Sequence, residues 1–294
     1  MVGDRGLKKL GLVCLFLLPA LVPLLAFRIV PMLASVVVSL LDWNLLRAPL
    51  FVGLANYLEV LGDPKFHKAL GNTLFYMVGY LPLVLVGALA VALLLNSRLK
   101  GLAFFRSIYF LPVVTSWVVV ALLWKWLLSP QGGFVNYLLG LIGIQGPGWW
   151  TDPNWAMPAI IIASVWKDLG FNMLILLAGL QNIPEQLYEA ARIDGAGLWR
   201  RIRSVTIPLL TPSILFVLVL AMIGAFQVFD QVYVMTEGGP GGATTVVMEQ
   251  VVLNAFRYGR MGEASAMSWI LFAIILVFTV LQLKFQKRWV HYGS

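Results

Sequence analysis

The chain reads as an all-α polytopic membrane protein with six transmembrane helices. Three observations lead there. Of its 294 residues, 60% are hydrophobic and only 12% charged, which is more apolar surface than a soluble domain of this size can hide, so the solvent is lipid. Six stretches reach the roughly 20 apolar residues that a spanning helix needs. The Lys and Arg between them are unevenly shared, and that sets an orientation.

The six runs are Leu10–Leu33, Leu70–Asn96, Phe104–Leu128, Met157–Leu180, Pro208–Met235 and Ala264–Lys284. Pro19, Pro23 and Pro31 predict a bend in the first, and its polar outer part, Ser35 to Trp43, is expected to project beyond the bilayer. Arg5, Lys8 and Lys9 precede a run too long for a signal-peptide core and followed by no small-x-small cleavage site, so an uncleaved signal anchor is expected.

With the N-terminus inside, the inner segments hold thirteen Lys and Arg: Arg5, Lys8, Lys9, Arg98, Lys100, Arg106, Arg192, Arg200, Arg201, Arg203, Lys284, Lys287 and Arg288. The outer segments hold six, Arg47, Lys65, Lys68, Lys125, Arg257 and Arg260. The excess predicts both termini in the cytoplasm. The division is then a cytoplasmic N-terminus at 1–9, a membrane domain at 10–284 and a cytoplasmic C-terminus at 285–294. The net charge of +8 follows this topology and needs no nucleic acid to explain it. Trp43, Trp126, Trp155, Tyr258, Trp289 and Tyr292 fall near span ends, as interfacial anchors do.

Bond chemistry finds no footing. Cys14 is the only cysteine, so neither an internal disulfide nor a cysteine metal site can form. His67 and His291 are too few and too far apart for a histidine metal site. There is no G-x-x-x-x-G-K-[ST], H-E-x-x-H or G-x-S-x-G, so no catalytic residue and no resident cofactor is assigned.

The segment 181–207, between the fourth and fifth runs, carries the most information. Pro184 suits a first helical turn and Glu185 its positive end. Ala190 and Ala191 let another surface approach, and Leu187, Tyr188 and Ile193 offer apolar contact. Gly195 and Gly197 permit a sharp reversal. A short basic helix, about Leu198–Val205, then returns the chain, and Pro208 opens the fifth span.

This segment resembles the "EAA" loop of ABC-importer permeases: Glu189-Ala190-Ala191, three residues, Gly195, and Pro208 at the next membrane entry. Three further stretches are similar to the carbohydrate-uptake group of those permeases. They are Phe51–Tyr57 with Ala69–Thr73, Phe105–Pro112 with Gly133–Asn136, and Phe229–Pro240 with Ala255–Phe256 and Gly262–Ala266. The resemblance implies a type I ABC-importer permease fold in a prokaryotic cytoplasmic (inner) membrane. It implies that Glu189, Ala190, Ala191, Asp194, Gly195 and Gly197 couple the spans to a dimer of ATPase subunits, which bind the ATP and Mg. It also implies a second permease, as a heterodimer, and an extracytoplasmic solute-binding protein. The chain resembles the first of the two permeases. It departs from the maltose-type first permease, which carries extra N-terminal spans and a large external domain; the lean form is expected among sugar and glycerol-phosphate systems.

The polar residues inside the runs are the direct route to a solute path, because a charge in hydrocarbon normally faces a cavity or a partner. Lys167 falls roughly 20 Å from the inner end of the fourth span, with Trp166, Asp168 and Asn172 beside it. Asp230 falls roughly 33 Å along the fifth, with Gln227 and Gln231 at helical spacing. Contact with solute and a structural Lys167–Asp230 or Lys167–Asp168 pair both remain open. Gly238-Gly239-Pro240 is either part of a surface for a binding protein or a tight turn. An ion-gradient-driven transporter or channel would explain the buried charges, but not the 181–207 segment.

Overall fold

A computed structural model describes residues 3–97 and 101–291, leaving aside the side chains of 3–11. Arg98, Lys100 and Tyr292, and the side chains of Arg5, Lys8 and Lys9, lie outside the described residues. In chain order the elements are α1 (Gly3–Leu24), a π-turn (Leu25–Ile29), α2 (Val30–Val38), β1 (Leu41–Asp42), β2 (Leu50–Phe51), α3 (Ala55–Gly62), α4 (Pro64–Leu95), α5 (Leu102–Val114), α6 (Trp117–Leu127) and α7 (Phe134–Leu141). There follow α8 (Pro153–Gln181), α9 (Glu185–Ile193), α10 (Leu198–Arg201), a π-turn (Ile202–Thr206), α11 (Ile207–Phe226), α12 (Asp230–Met235), α13 (Val247–Val252) and α14 (Met261–Phe285). Among the described residues the only strands form one two-residue hairpin, in which Leu41 faces Phe51 and Asp42 faces Leu50.

Among the described residues five continuous helices are long and apolar enough to cross a membrane, over Leu12–Val38, Pro64–Leu95, Pro153–Gln181, Leu198–Phe226 and Met261–Arg288. The single run expected at Phe104–Leu128 is not one continuous helix, and the bent pair found there has the geometry of a broken span or of a re-entrant loop. The pair is α5 and α6, meeting at 100°. Thr115 and Ser116 are both extended there, each with ψ 141°. The fifth run, expected to continue to Met235, stops at Phe226. Phe229 leaves the helical region (φ −147°, ψ −63°) and α12 starts afresh at Asp230. Averaged hydropathy passes over both breaks, although polar residues fall at them, Thr115 and Ser116 at the first and Gln227 and Asp230 at the second.

The prolines expected to mark a bend or an entry, Pro19, Pro23, Pro31 and Pro208, lie instead inside continuous helix. Pro31 follows the first π-turn and Pro208 the second. A proline ring clashes with the carbonyl four residues back. For Pro31 and Pro208 those residues are Phe27 and Ser204, each inside a π-turn, where the wider winding gives the ring room. As a result the first helix continues to Val38, and α10 runs unbroken into α11 rather than forming a separate short helix.

The chain divides into two units. The first comprises residues up to Asp63 and Val251–Ile270. Its hairpin is tied by Asn56, whose Nδ2 donates to the Ser39 and Leu41 carbonyls at 2.8 and 3.0 Å. Gly262 lies against the same Leu41 carbonyl, where a Cβ would collide. Met261 N–H donates to the Trp43 carbonyl (3.1 Å), and Trp269 Nε1 to Ser35 Oγ (3.2 Å).

The second unit comprises Pro64–Gln250 and the residues from Leu271 onward. Its centre is α8, which packs on α4, α5 and α11. Ala88 and Ala92, one turn apart on α4, meet Met173, Leu176, Leu177 and Leu180 of α8 and Leu210, Ile214 and Val217 of α11. Lipid supplies no hydrophobic drive between spans, so close packing of small residues carries the association. Gly170 lies against the Tyr109 carbonyl of α5, and Gly179 against Ser213 and Leu210 of α11, each with no room for a Cβ.

Three cations close helix C-termini in this unit. Arg106 donates to the Leu95 carbonyl at the end of α4 (3.1 Å). Lys125 of α6 donates to the Val234 carbonyl of α12 (3.2 Å). Lys167 of α8 donates to the Pro112 and Val113 carbonyls of α5, both at 3.2 Å. The last carbonyls of a helix have no partner within it and carry partial negative charge, so a cation both satisfies and neutralises them.

Candidate functional site

Both helix breaks open on one cavity of about 720 Å³ in the second unit. Val113 and Trp117 line it beside the α5–α6 break, and Gln227, Val228, Phe229 and Asp230 beside the α11–α12 break. Irregular backbone at membrane depth persists only where protein buries it or a wet cavity meets it, and both breaks satisfy that condition.

The structure brings Lys167, Asp168, Asn172, Gln227, Asp230 and Gln231 together on this cavity. Trp166 is not among the lining residues. It is 43% exposed and packs edge-on against Trp124, ring centroids 5.8 Å apart. Gln227 and Asp230 do not share a helix face, because the break lies between them. For the same reason the 33 Å reckoned for Asp230 along a continuous helix does not apply.

Lys167 is paired with neither aspartate. Its side chain is buried, its ammonium is held by the two α5 carbonyls, and it lies over the Trp117 ring at 5.0 Å. Asp168 accepts from Tyr80 Oη (2.8 Å), and its main-chain carbonyl accepts from Asn172 Nδ2 (2.9 Å). Gln231 Nε2 donates to Tyr76 Oη (3.3 Å) and Ser164 Oγ (3.4 Å). Tyr76 and Tyr80, one turn apart on α4, stack with centroids 5.4 Å apart. Sequence reasoning missed these two tyrosines, together with Trp117 and Phe171. The available signal was a pair of tyrosines at i, i+4 within an otherwise aliphatic run.

The 181–207 segment forms a helix-turn-helix. Pro184 caps α9, Asp194 ends it, and Gly195 turns the chain at φ +76°. The Gly195 and Ala196 N–H groups donate to the Arg192 and Ala191 carbonyls (3.0 and 2.9 Å). Glu189, Ala190, Asp194, Gly195 and Gly197 are exposed and Ala191 is half-buried. Tyr188 differs from expectation. It is half-buried and its hydroxyl meets Thr206 Oγ1 at 3.1 Å, so it braces the segment against the base of the span rather than facing outward. Leu187 and Ile193 (87% exposed) are uncovered as expected, and Leu198 and Trp199 (76% exposed), not singled out from the sequence, add to the exposed apolar surface.

A family model described as "Binding-protein-dependent transport system inner membrane component" matches residues 65–291. The chain belongs to this family. The permease is 40% identical over 277 residues to the trehalose/maltose transport system permease protein of Thermococcus litoralis, covering 94% of this chain and 93% of that one. It is 39% identical over 274 residues to the lactose transport system permease protein of Rhizobium radiobacter, with 91% of each covered. Its fold matches a chain of the bacterial alginate ABC transporter solved in complex with an alginate pentasaccharide-bound periplasmic protein, at a TM-score of 0.85 and 25% identity, covering 99% of both. The permease is therefore a multi-pass membrane component of an ABC importer.

At the other end of α8 and α11 from the helix-turn-helix, the permease knits the 236–247 loop onto α4. Lys68 Nζ donates to the Gly241 carbonyl (2.8 Å), and Asn72 Nδ2 to those of Gly242 (3.1 Å) and Thr245 (2.8 Å). Thr73 Oγ1 accepts from Val247 N–H (3.1 Å). Glu249 lies beneath this loop, 2% exposed, its Oε2 without a partner. Burial pushes its carboxyl up to about 7; the Val246 N–H opposes the shift and the Glu237 charge adds to it. A carboxyl whose folded pKa lies above its unfolded 4.5 stabilises most when protonated, so that contribution is full below about pH 4.5 and is lost as pH rises through 7. Amide hydrogen exchange in residues 237–247, corrected for intrinsic rate, is expected to show weaker protection at pH 8 than at pH 5.5. Glu249→Gln should flatten that dependence, and an unchanged slope would remove Glu249 as its cause.

Proposed function

We propose that this permease moves a sugar across a prokaryotic cytoplasmic membrane as one of two different permease subunits, driven by a separate ATPase dimer and fed by an external binding protein. Both termini and the 181–207 segment face the cytoplasm in this reading. The observation that carries it is the exposed helix-turn-helix. Ile193, Leu198 and Trp199 are all uncovered on this short segment, and exposed apolar patches mark docking sites. Glu189 and Arg192 on the same short helix add charge to the contact.

In this mechanism the ATPase subunits, which hold the ATP and Mg, close on one another and draw α9 with them. Because α10 continues into α11 without a break, a displacement of the turn is delivered straight to a span lining the cavity. The Lys and Arg excess on the inner segments supports the orientation. The names of the sugar-system relatives support the solute class.

The test is purification of the tagged permease from its native membrane in mild detergent, with the co-purifying chains identified. An ATPase, a second permease and a binding protein are expected with it. Recovery of this chain alone, carrying out uptake driven by an ion gradient, would replace the reading with a secondary transporter or channel.

A further inference from the structure

We infer that the cavity admits an uncharged sugar and turns away sugars that carry an acid group, an assignment that rests on the sugar-import reading above. The formal charges on its wall are Lys167, Asp168 and Asp230. Recognition of a carboxylate or phosphate calls for a cation with donors to spare, most often an arginine fork. No arginine lines this cavity among the described residues. Its one lysine is already committed, with two of its three ammonium donors directed at the α5 carbonyls and the charge lying over Trp117.

The aspartates work in the opposite direction. Asp168 is bound by Tyr80. Asp230 is exposed on the wall and takes no hydrogen bond from the described residues. An acidic sugar entering here would bring its charge against an unpaired carboxylate with no counter-cation, which is how a site rejects a wrong ligand.

What remains suits hydroxyl groups. Asp230 accepts, and the exposed Gln227 both donates and accepts. Phe171 and Phe229 offer apolar faces to the C–H side of a pyranose ring. A cationic amino sugar matches less well, because Lys167 already places a positive charge on the wall and Asp168 is taken by Tyr80. The cavity volume falls within the roughly 300–1,000 Å³ of small-molecule sites. The inference separates this permease from the alginate importer whose fold it shares, since that transporter carries an acidic polysaccharide.

The experiment uses the complete importer, with its partner permease, ATPase and binding protein, in proteoliposomes. ATP-driven uptake is measured for maltotriose, trehalose and lactose, for the acids lactobionate and trigalacturonate, and for the chitosan dimer. At least one neutral sugar should enter, with the acids slower by roughly tenfold or more, as like-charge contact implies. Asp230→Asn should then narrow the neutral-to-acid ratio by about threefold or more, since the repelling charge is gone. If that variant does not assemble, Gln227→Lys, which adds a cation to the same wall, should raise acid uptake instead. Faster uptake of an acid or of the chitosan dimer would overturn the inference and leave sugar import standing. An unchanged ratio in an assembled variant would also overturn it, by placing selectivity outside this cavity. ATP-driven uptake of none of these sugars would sink the import reading, and the inference with it.

Discussion

Gly195→Pro should leave the permease inserted and paired yet bring ATP-driven uptake to background. Gly195 occupies φ +76°, and proline holds φ near about −65°. The substitution also removes the N–H that donates to the Arg192 carbonyl, so the last turn of α9 loses its closure. A proline in an incompatible conformation costs about 3 kcal/mol or more, and here that cost falls on the turn that presents Ile193, Leu198 and Trp199 together. No side chain of α9 is buried, so the spans do not depend on it. Uptake and co-purification must be measured on the same preparation. Glu189→Lys, which reverses an exposed charge on α9 without touching the turn, should give the same loss. Wild-type uptake in both variants would remove the coupling role from this segment.

Lys167→Met should lower the melting temperature of the purified permease and weaken transport together. Methionine fills similar volume but leaves the Pro112 and Val113 carbonyls without donors. Hydrogen bonds to a charged group contribute about 1.5–3 kcal/mol each, and alternative partners found within a membrane reduce that, so a net loss of about 2–3 kcal/mol is expected. The consequence is directional. The 100° break between α5 and α6 loses the cation that holds it, and Trp117, which packs under that cation, lines the cavity. Lys125→Met removes a comparable bond, to Val234, and serves as the comparison. Equal melting shifts with transport lost only in Lys167→Met would assign the lysine to the shape of the solute path. A Lys167→Met protein with unchanged melting and transport would mean the break is held by other contacts.

Much of this protein is local and therefore legible in its residues. Apolar run length and composition determine that it lives in lipid, and each of the six runs coincides with a crossing or a bent pair. The helix-turn-helix is equally local. Pro184 at a helix start and Gly195 at a left-handed turn are backbone preferences that no distant contact has to supply.

Tertiary structure decided what the buried polar groups do. Lys167 was visible as a costly charge, but its partners are carbonyls more than 50 residues away, exposed only because α5 ends early. The breaks at Thr115–Ser116 and Gln227–Phe229 are marked only by a few polar residues, which by themselves do not separate a broken helix from a straight one. Tyr76 and Tyr80 became part of a site only when α4 was laid against α8 and the stack met Asp168. The sequence by itself determined the solvent, the spans and the exposed turn, because these depend on transfer into lipid and on φ and ψ of single residues. Where the helices break, and which wall each charge then faces, depended on carbonyls and cations brought together by packing across the chain.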